Sequence, residues 1–151
     1  MLEFENKIPV FDLAKRHLII EKRKITAPEN AVPICRELIG DKIDVIESFF
    51  VIMLDNSNST IGCACIGVGG INGVNVDVRL ILHYAAASLA SSIILVHNHP
   101  SGALRASEED VNITRDVQKV MLHARMPVVD HIIITPDGFL SFAHSGLLNN
   151  L

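Results

Sequence analysis

Two histidines, a serine and an aspartate crowd into the stretch LVHNHPSGALRASEEDV, residues 95–111. His97 and His99 stand two apart at the end of a short β-rich run, a spacing that in extended chain sends both imidazoles to one side. Pro100 takes the chain out of the strand, and Ser101-Gly102 supplies a sharp loop. Ser107 has the character of a helix N-cap, with Glu108, Glu109 and Asp110 as first-turn acids that the helix dipole favours. Asp110 then lies one turn along on nearly the same face as Ser107. Two nitrogens from a strand end and one carboxylate from a helix start can converge on a point. Three protein ligands with a fourth position open to water is the pattern of a catalytic zinc site. The mixed nitrogen and oxygen set also admits manganese or iron. Capping alone accounts for Ser107 and Asp110 as well, and the two roles are compatible, because a capped helix is a rigid platform for a ligand.

The elements that must position these residues read as follows. Residues 1–26 form an arm, with a strand at Leu18–Ile20. Pro28 opens a helix that runs through Ala31 to Ile39 and stops at Gly40. Ser48–Leu54 is a strand, closed by the turn-rich Asp55–Ser59, and Thr60–Val68 is its hairpin partner. The glycines from Gly67 to Gly73 force a loop that is no phosphate cradle, since no Gly-Lys-Ser/Thr follows. Alanine-rich Val76–Ala90 is a buried helix, Ser92–Val96 a strand, and His97–Ala106 a loop. Ser107–Arg125 is a helix with an apolar stripe at Val111, Val117, Val120 and Met121. Val128–Thr135 is a strand, Pro136-Asp137-Gly138 a turn, and Phe139–Phe142 the return strand. Strands alternating with helices give an α/β domain, and the hairpins make its sheet mixed.

The totals narrow the function classes. The 151 residues fit one domain, and a 49% hydrophobic content without Trp gives an aliphatic core. A net charge of −4 and a pI near 5.9 disfavour attraction of the whole surface to nucleic acid. Lys15, Arg16, His17, Lys22, Arg23 and Lys24 form a local basic cluster, read first as a solvated arm and second as a contact for nucleic acid or an acidic partner. No signal-peptide pattern opens the chain, and its apolar runs fall far short of the roughly 20 residues that span a bilayer. Three cysteines, Cys35, Cys63 and Cys65, suit a reducing cytoplasm rather than a disulfide framework. Cys63 and Cys65 share a strand face and are expected to be buried, since no second pair completes a thiolate metal site.

The spacing from His97-Asn98-His99 to Ser107 and Asp110 resembles the metal motif of the JAB/MPN metalloproteases, often called JAMM. HNHPSG at 97–102, the Asp130-His131 pair before an apolar strand, and Gly138-Phe139-Leu140-Ser141-Phe142 resemble the RadC-like branch more narrowly. The resemblance covers about residues 27–148 and implies a single JAB/MPN-type domain over 27–151: a mixed sheet flanked by helices, a Zn2+ ion, and hydrolysis of an amide or isopeptide bond. It places His97, His99 and Asp110 as zinc ligands, Ser107 as the serine that helps stabilise the tetrahedral intermediate, and Glu47 as the upstream glutamate. A base is needed beyond the ligands, because Glu108 and Glu109 should turn away from the face of Asp110. Asp44 is the nearest rival of Glu47 for it. Two departures stand out: Ala106 replaces an expected proline, and these residues leave no room for the helix–hairpin–helix region that longer relatives carry. The latter weakens the link to DNA, although the branch is named for DNA repair.

Three functions follow from these readings. The first is a zinc-dependent peptidase or isopeptidase. The second is a metal-dependent enzyme acting on nucleic acid in repair, though not a zinc deaminase, whose His-x-Glu and Pro-Cys-x-x-Cys pieces are absent. The third is a binding module without turnover. His131 stands either as a support of the site or as a structural histidine, and His17, His83, His123 and His144 have no partner spacing. Oligomeric state is not encoded in any motif.

Overall fold

The computed structural model describes residues 21–70 and 73–150. The expected Leu18–Ile20 strand and Lys15, Arg16 and His17 lie outside the described residues. Within them, Lys22 pairs with Asp55 at 3.7 Å, Arg23 with Glu21 at 3.3 Å, and Lys24 bridges Ser59. Helix α1 (Pro28–Ile39) begins at Pro28, as expected, and Gly40 ends it in left-handed backbone at φ 63°. Strands β1 (Ser48–Leu54) and β2 (Thr60–Val68) form an antiparallel hairpin, whose turn is closed by Asp55 Oδ1 accepting from the amides of Ser57 and Ser59.

Helix α2 (Val78–Ala87) is shorter than the expected Val76–Ala90. Asp77 caps its start by accepting from the Arg79 amide. Its end is fixed by Leu89 at φ 55°, after which the Ala90 amide reaches back to Ala85 O. Strand β3 (Ser92–Asn98) runs two residues beyond the expected Val96, because β4 (Val128–Ile134) lies parallel beside it as far as the Asn98–Ile134 pair. His97 is therefore a strand residue, not a loop residue. Helix α3 (Glu108–His123) starts after Ser107, and β5 (Phe139–Ser141) closes the order β2-β1-β3-β4-β5. All neighbouring pairs are antiparallel except β3–β4, so the sheet is mixed.

Side chains alternate across the strands and feed two cores. On one face Val51, Met53, Ile93 and Leu95 pack with Ile81 and Ala85 of α2 and with Val117 and Met121 of α3. On the other, Ile52, Leu54, Ile94, Val96, Ile132 and Ile134 pack with Ala31, Ile34, Cys35 and Ile39 of α1. The buried stripe of α3 is Asp110, Thr114, Val117 and Met121. Val111 is half-buried and Val120 exposed, so the expected apolar stripe is corrected: its upper half is polar because it faces the histidines rather than the aliphatic core. The cysteine expectation also changes. Cys63 is half-buried and Cys65 exposed, because β2 is an edge strand whose buried side carries Ala64 and Ile66. No helix among the described residues is long and apolar enough to cross a membrane.

Candidate metal centre

Register brings the site together. Phe49 of β1 pairs directly with His97 of β3, and Glu47, two residues before Phe49, projects from the same face. Glu47, His97 and His99 form a group positioned to hold a metal ion, their ligand atoms all within 4.8 Å of one another. Asp110 closes on them from the first turn of α3: its Oδ1 lies 3.4 Å from His97 Nε2 and its Oδ2 3.2 Å from His99 Nε2. The two imidazoles meet edge to face, with ring centroids 4.6 Å apart. The structure thus assembles all four residues, from a strand entry, a strand end, the turn after it and a helix start.

The supports of each group are local. His99 Nδ1 lies 2.8 Å from Ala103 O, so it carries a proton, while Nε2 faces Asp110 Oδ2 in the cleft, donating to it when the ring is charged and offering a lone pair when it is neutral. Ser107 and Asp110 cap α3 reciprocally: Ser107 Oγ accepts from the Asp110 amide at 3.1 Å, and Asp110 Oδ2 accepts from the Ser107 amide at 2.7 Å. The cap that the residue pattern suggests is present, with Ala106 tolerated before it, and it also aims the carboxylate at the histidines.

Asn98 carries a role that reading the sequence missed. It is fully buried on the α1 side of β3, where its Oδ1 accepts from the Ser48 amide and its Nδ2 donates to Ile43 O and Ile46 O, all at 2.8–2.9 Å. These partners flank Glu47 on both sides. The signal was an amide standing between two histidines in an otherwise apolar strand. From the other direction, the Gly69 amide donates to Glu47 O at 2.8 Å. A Cβ on Gly69 would sit 2.0 Å from Gly73 O, so this part of the glycine loop packs backbone to backbone over Glu47.

Burial and neighbours set the charges. Burial lowers His97 from 6.5 to about 4, so at neutral pH it is uncharged and offers a lone pair. The hydrogen bond to Asp110 raises His99, against its partial burial. Burial opposes ionisation of Asp110, but His99, His97 and the Ser107 amide outweigh it and hold the carboxyl below the usual range. Glu47 is pushed the other way, raised by burial and by Asp110 against the opposing effect of His99. The two carboxylates of the cleft therefore differ in character: Asp110 is held in its anionic form and Glu47 is the readier proton acceptor and donor. The donor set of neutral imidazole nitrogen and carboxylate oxygen fits a divalent cation.

These groups open into a cleft of about 830 Å³, lined also by Val74, Val76, Ile113, Ser101, Ala103 and Arg105. Ser107 lines it as well. So does Glu109, an exposed residue at the rim, where the expectation had it turning away with Glu108. Asp44 is exposed and does not line it.

The same residues place the chain among known proteins. Residues 25–147 match the RadC-like JAB domain. The UPF0758 protein of Porphyromonas gingivalis is 37% identical over 148 residues, covering 97% of this chain and 62% of the relative. That of Flavobacterium johnsoniae is 37% identical over 129 residues, covering 85% and 56%, and that of Clostridium acetobutylicum 34% over 139, covering 92% and 60%. The chain thus spans about three fifths of the length of these curated relatives. With the family match across about four fifths of its length and the histidines of the motif gathered on one cleft, the chain belongs to the RadC-like JAB domain family.

Proposed function

We propose that this domain is a zinc-dependent hydrolase of amide bonds, with a peptide or isopeptide as its substrate. His97, His99 and Asp110 hold the ion, Glu47 is the general base, and Ser107 donates to the developing oxyanion. The observation that carries the division of labour is the spacing. Ligands 2.0–2.1 Å from a tetrahedral centre stand about 3.3 Å apart, and the Asp110 oxygens lie 3.4 and 3.2 Å from the two histidine nitrogens. Zinc bound there supplies Lewis acidity toward a carbonyl oxygen and toward water.

The chain's own groups do the rest. Glu47, raised by burial, takes a proton from the attacking water and returns it to the leaving nitrogen. Ser107 Oγ spends one lone pair on the helix cap, which leaves its O–H to donate into the cleft. Val74, Val76 and Ile113 give the cleft an apolar surface against which a substrate side chain would pack.

The test begins with elemental analysis of protein purified without chelator, which should find about one zinc per chain. Alanine at His97, His99 or Asp110 should each strip most of it. Glu47→Gln should keep the metal and lower hydrolysis of responsive peptides by about 10²–10⁴-fold. Undiminished metal in all three alanine variants would refute the ligand set. Cleavage of DNA but of no peptide or isopeptide in parallel panels would refute the substrate class.

A further inference from the structure

Resting on the amide-hydrolase reading above, we propose that Arg105 is a specificity-determining residue of the cleft: it takes a carboxylate of the peptide substrate, from a free C-terminus or an acidic side chain. Val74, Val76 and Ile113 take an apolar side chain of the same peptide. Arg105 is the one Lys or Arg among the described residues that line the cleft. It is exposed, and among the described residues it has no hydrogen bond or ion pair. Glu109 lines the same cleft, yet the two do not pair.

The loop that carries Arg105 is tied down before and after it. Before it, Ala103 O accepts from His99 Nδ1 at 2.8 Å, and the Gly102 amide donates to His99 O at 3.0 Å. Leu104 packs on the turn that leads into β5, where a Cβ on Gly138 would lie 2.9 Å from Leu104 Cδ1. After it, Ser107 is locked into the cap of α3 with Asp110. The backbone around Arg105 is thus fastened to two of the residues that face the metal, His99 and Asp110. Only the rotamers of its own side chain are left to be lost on binding.

The charges of the cleft decide the sign of the ligand. Its other charged groups, Glu47, Glu109 and Asp110, are acids. The proposed cation offsets Glu47 and Asp110. Glu109 needs no partner, because the dipole of α3 favours an acid in the first turn and water screens its exposed side chain. That same field disfavours a cation just ahead of the helix, so Arg105 is the charge left unsatisfied. A carboxylate answers it, since the planar guanidinium donates to both of its oxygens side by side.

The test uses the full chain supplied with zinc and pools of fluorescein-labelled hexapeptides rich in Val and Leu. The pools differ in one group only: a C-terminal carboxylate or amide, or an internal Asp, Asn or Lys. Fluorescence polarisation should show a carboxylate pool bound about fivefold more tightly than its amide or Asn counterpart, the upper end for an exposed ion pair. Added salt should shrink that difference. Whether the C-terminal or the internal pair shows it tells a free C-terminus from an acidic side chain. Arg105→Gln should erase the preference, and Arg105→Glu should turn it toward the Lys pool. Equal binding of all pools by wild type would overturn the proposal while leaving the hydrolase reading standing. So would a preference that Arg105→Gln keeps in full, since another group would then hold the carboxylate. Wild type that binds no pool would instead overturn the peptide reading, and this inference with it.

Discussion

Ser107 serves structure and chemistry through different parts of one hydroxyl. Its lone pair caps α3, and the proposed mechanism uses its proton. Ser107→Ala should therefore cost about 1 kcal/mol in a urea melt as a lost cap, and lower turnover about 10²–10³-fold. A variant that melts earlier but turns over at the wild-type rate would leave only the cap. Titration of the histidines gives a second prediction for the metal-free protein. His97 and His131 are held by burial at about 4 and about 3 in the fold, against 6.5 in the unfolded chain. Above pH 6.5 neither state binds these protons, and below it the unfolded chain binds protons that the fold refuses. Stability should therefore fall as the pH drops from about 6.5 toward 3, with a slope approaching about 1.4 kcal/mol per pH unit for each histidine. Asp110, held low, adds to the loss at the acid end. A denaturant midpoint that stays level between pH 7 and 5 would contradict the neutral burial of these rings.

Between elements, the decisive join is the one that brings the start of β1 to the end of β3. Asn98 makes it, and it satisfies three backbone groups at once. Asn98→Ala should leave those groups unpaired in a buried setting, at ~1–3 kcal/mol each before relaxation. Folded Asn98→Ala should keep zinc to within a few-fold, because no ligand is lost, yet lose most of its turnover as Glu47 drifts from the site. Wild-type turnover in that variant would show that Glu47 needs no such anchor. Gly69→Ala tests the opposite side of the same residue, since its Cβ would meet Gly73 O at 2.0 Å. The glycine loop must shift to admit it. The Gly69 amide then leaves Glu47 O, and turnover should fall in step with a lowered melting temperature.

At the scale of the molecule, zinc binds the assembled site and not the unfolded chain, so its addition should raise the melting temperature of wild type and removal by a chelator should lower it. His97→Ala should abolish most of that response; a full response in it would place the metal elsewhere. The α/β class, the mixed sheet and the order of its elements were legible in the chain, because alternation, turn residues and capping signals act over a few neighbours. The motif from His97 to Asp110 was legible for the same reason: its members lie within fourteen residues, on a strand end and a helix start that local sequence dictates. Glu47 was named by resemblance, and its approach to the histidines depends on the register of β1 against β3, which no local pattern encodes. Asn98 and His131 went unassigned because their side-chain partners lie 50 or more residues away at and before the start of β1, or on α3. Burial was misread at Cys65 and Val120, where periodicity gives the face of an element but not what covers it. Residue type and spacing determined which groups were capable of chemistry. Only packing the sheet between its helices decided which of them share a cleft, since long-range register and desolvation exist only in the assembled fold.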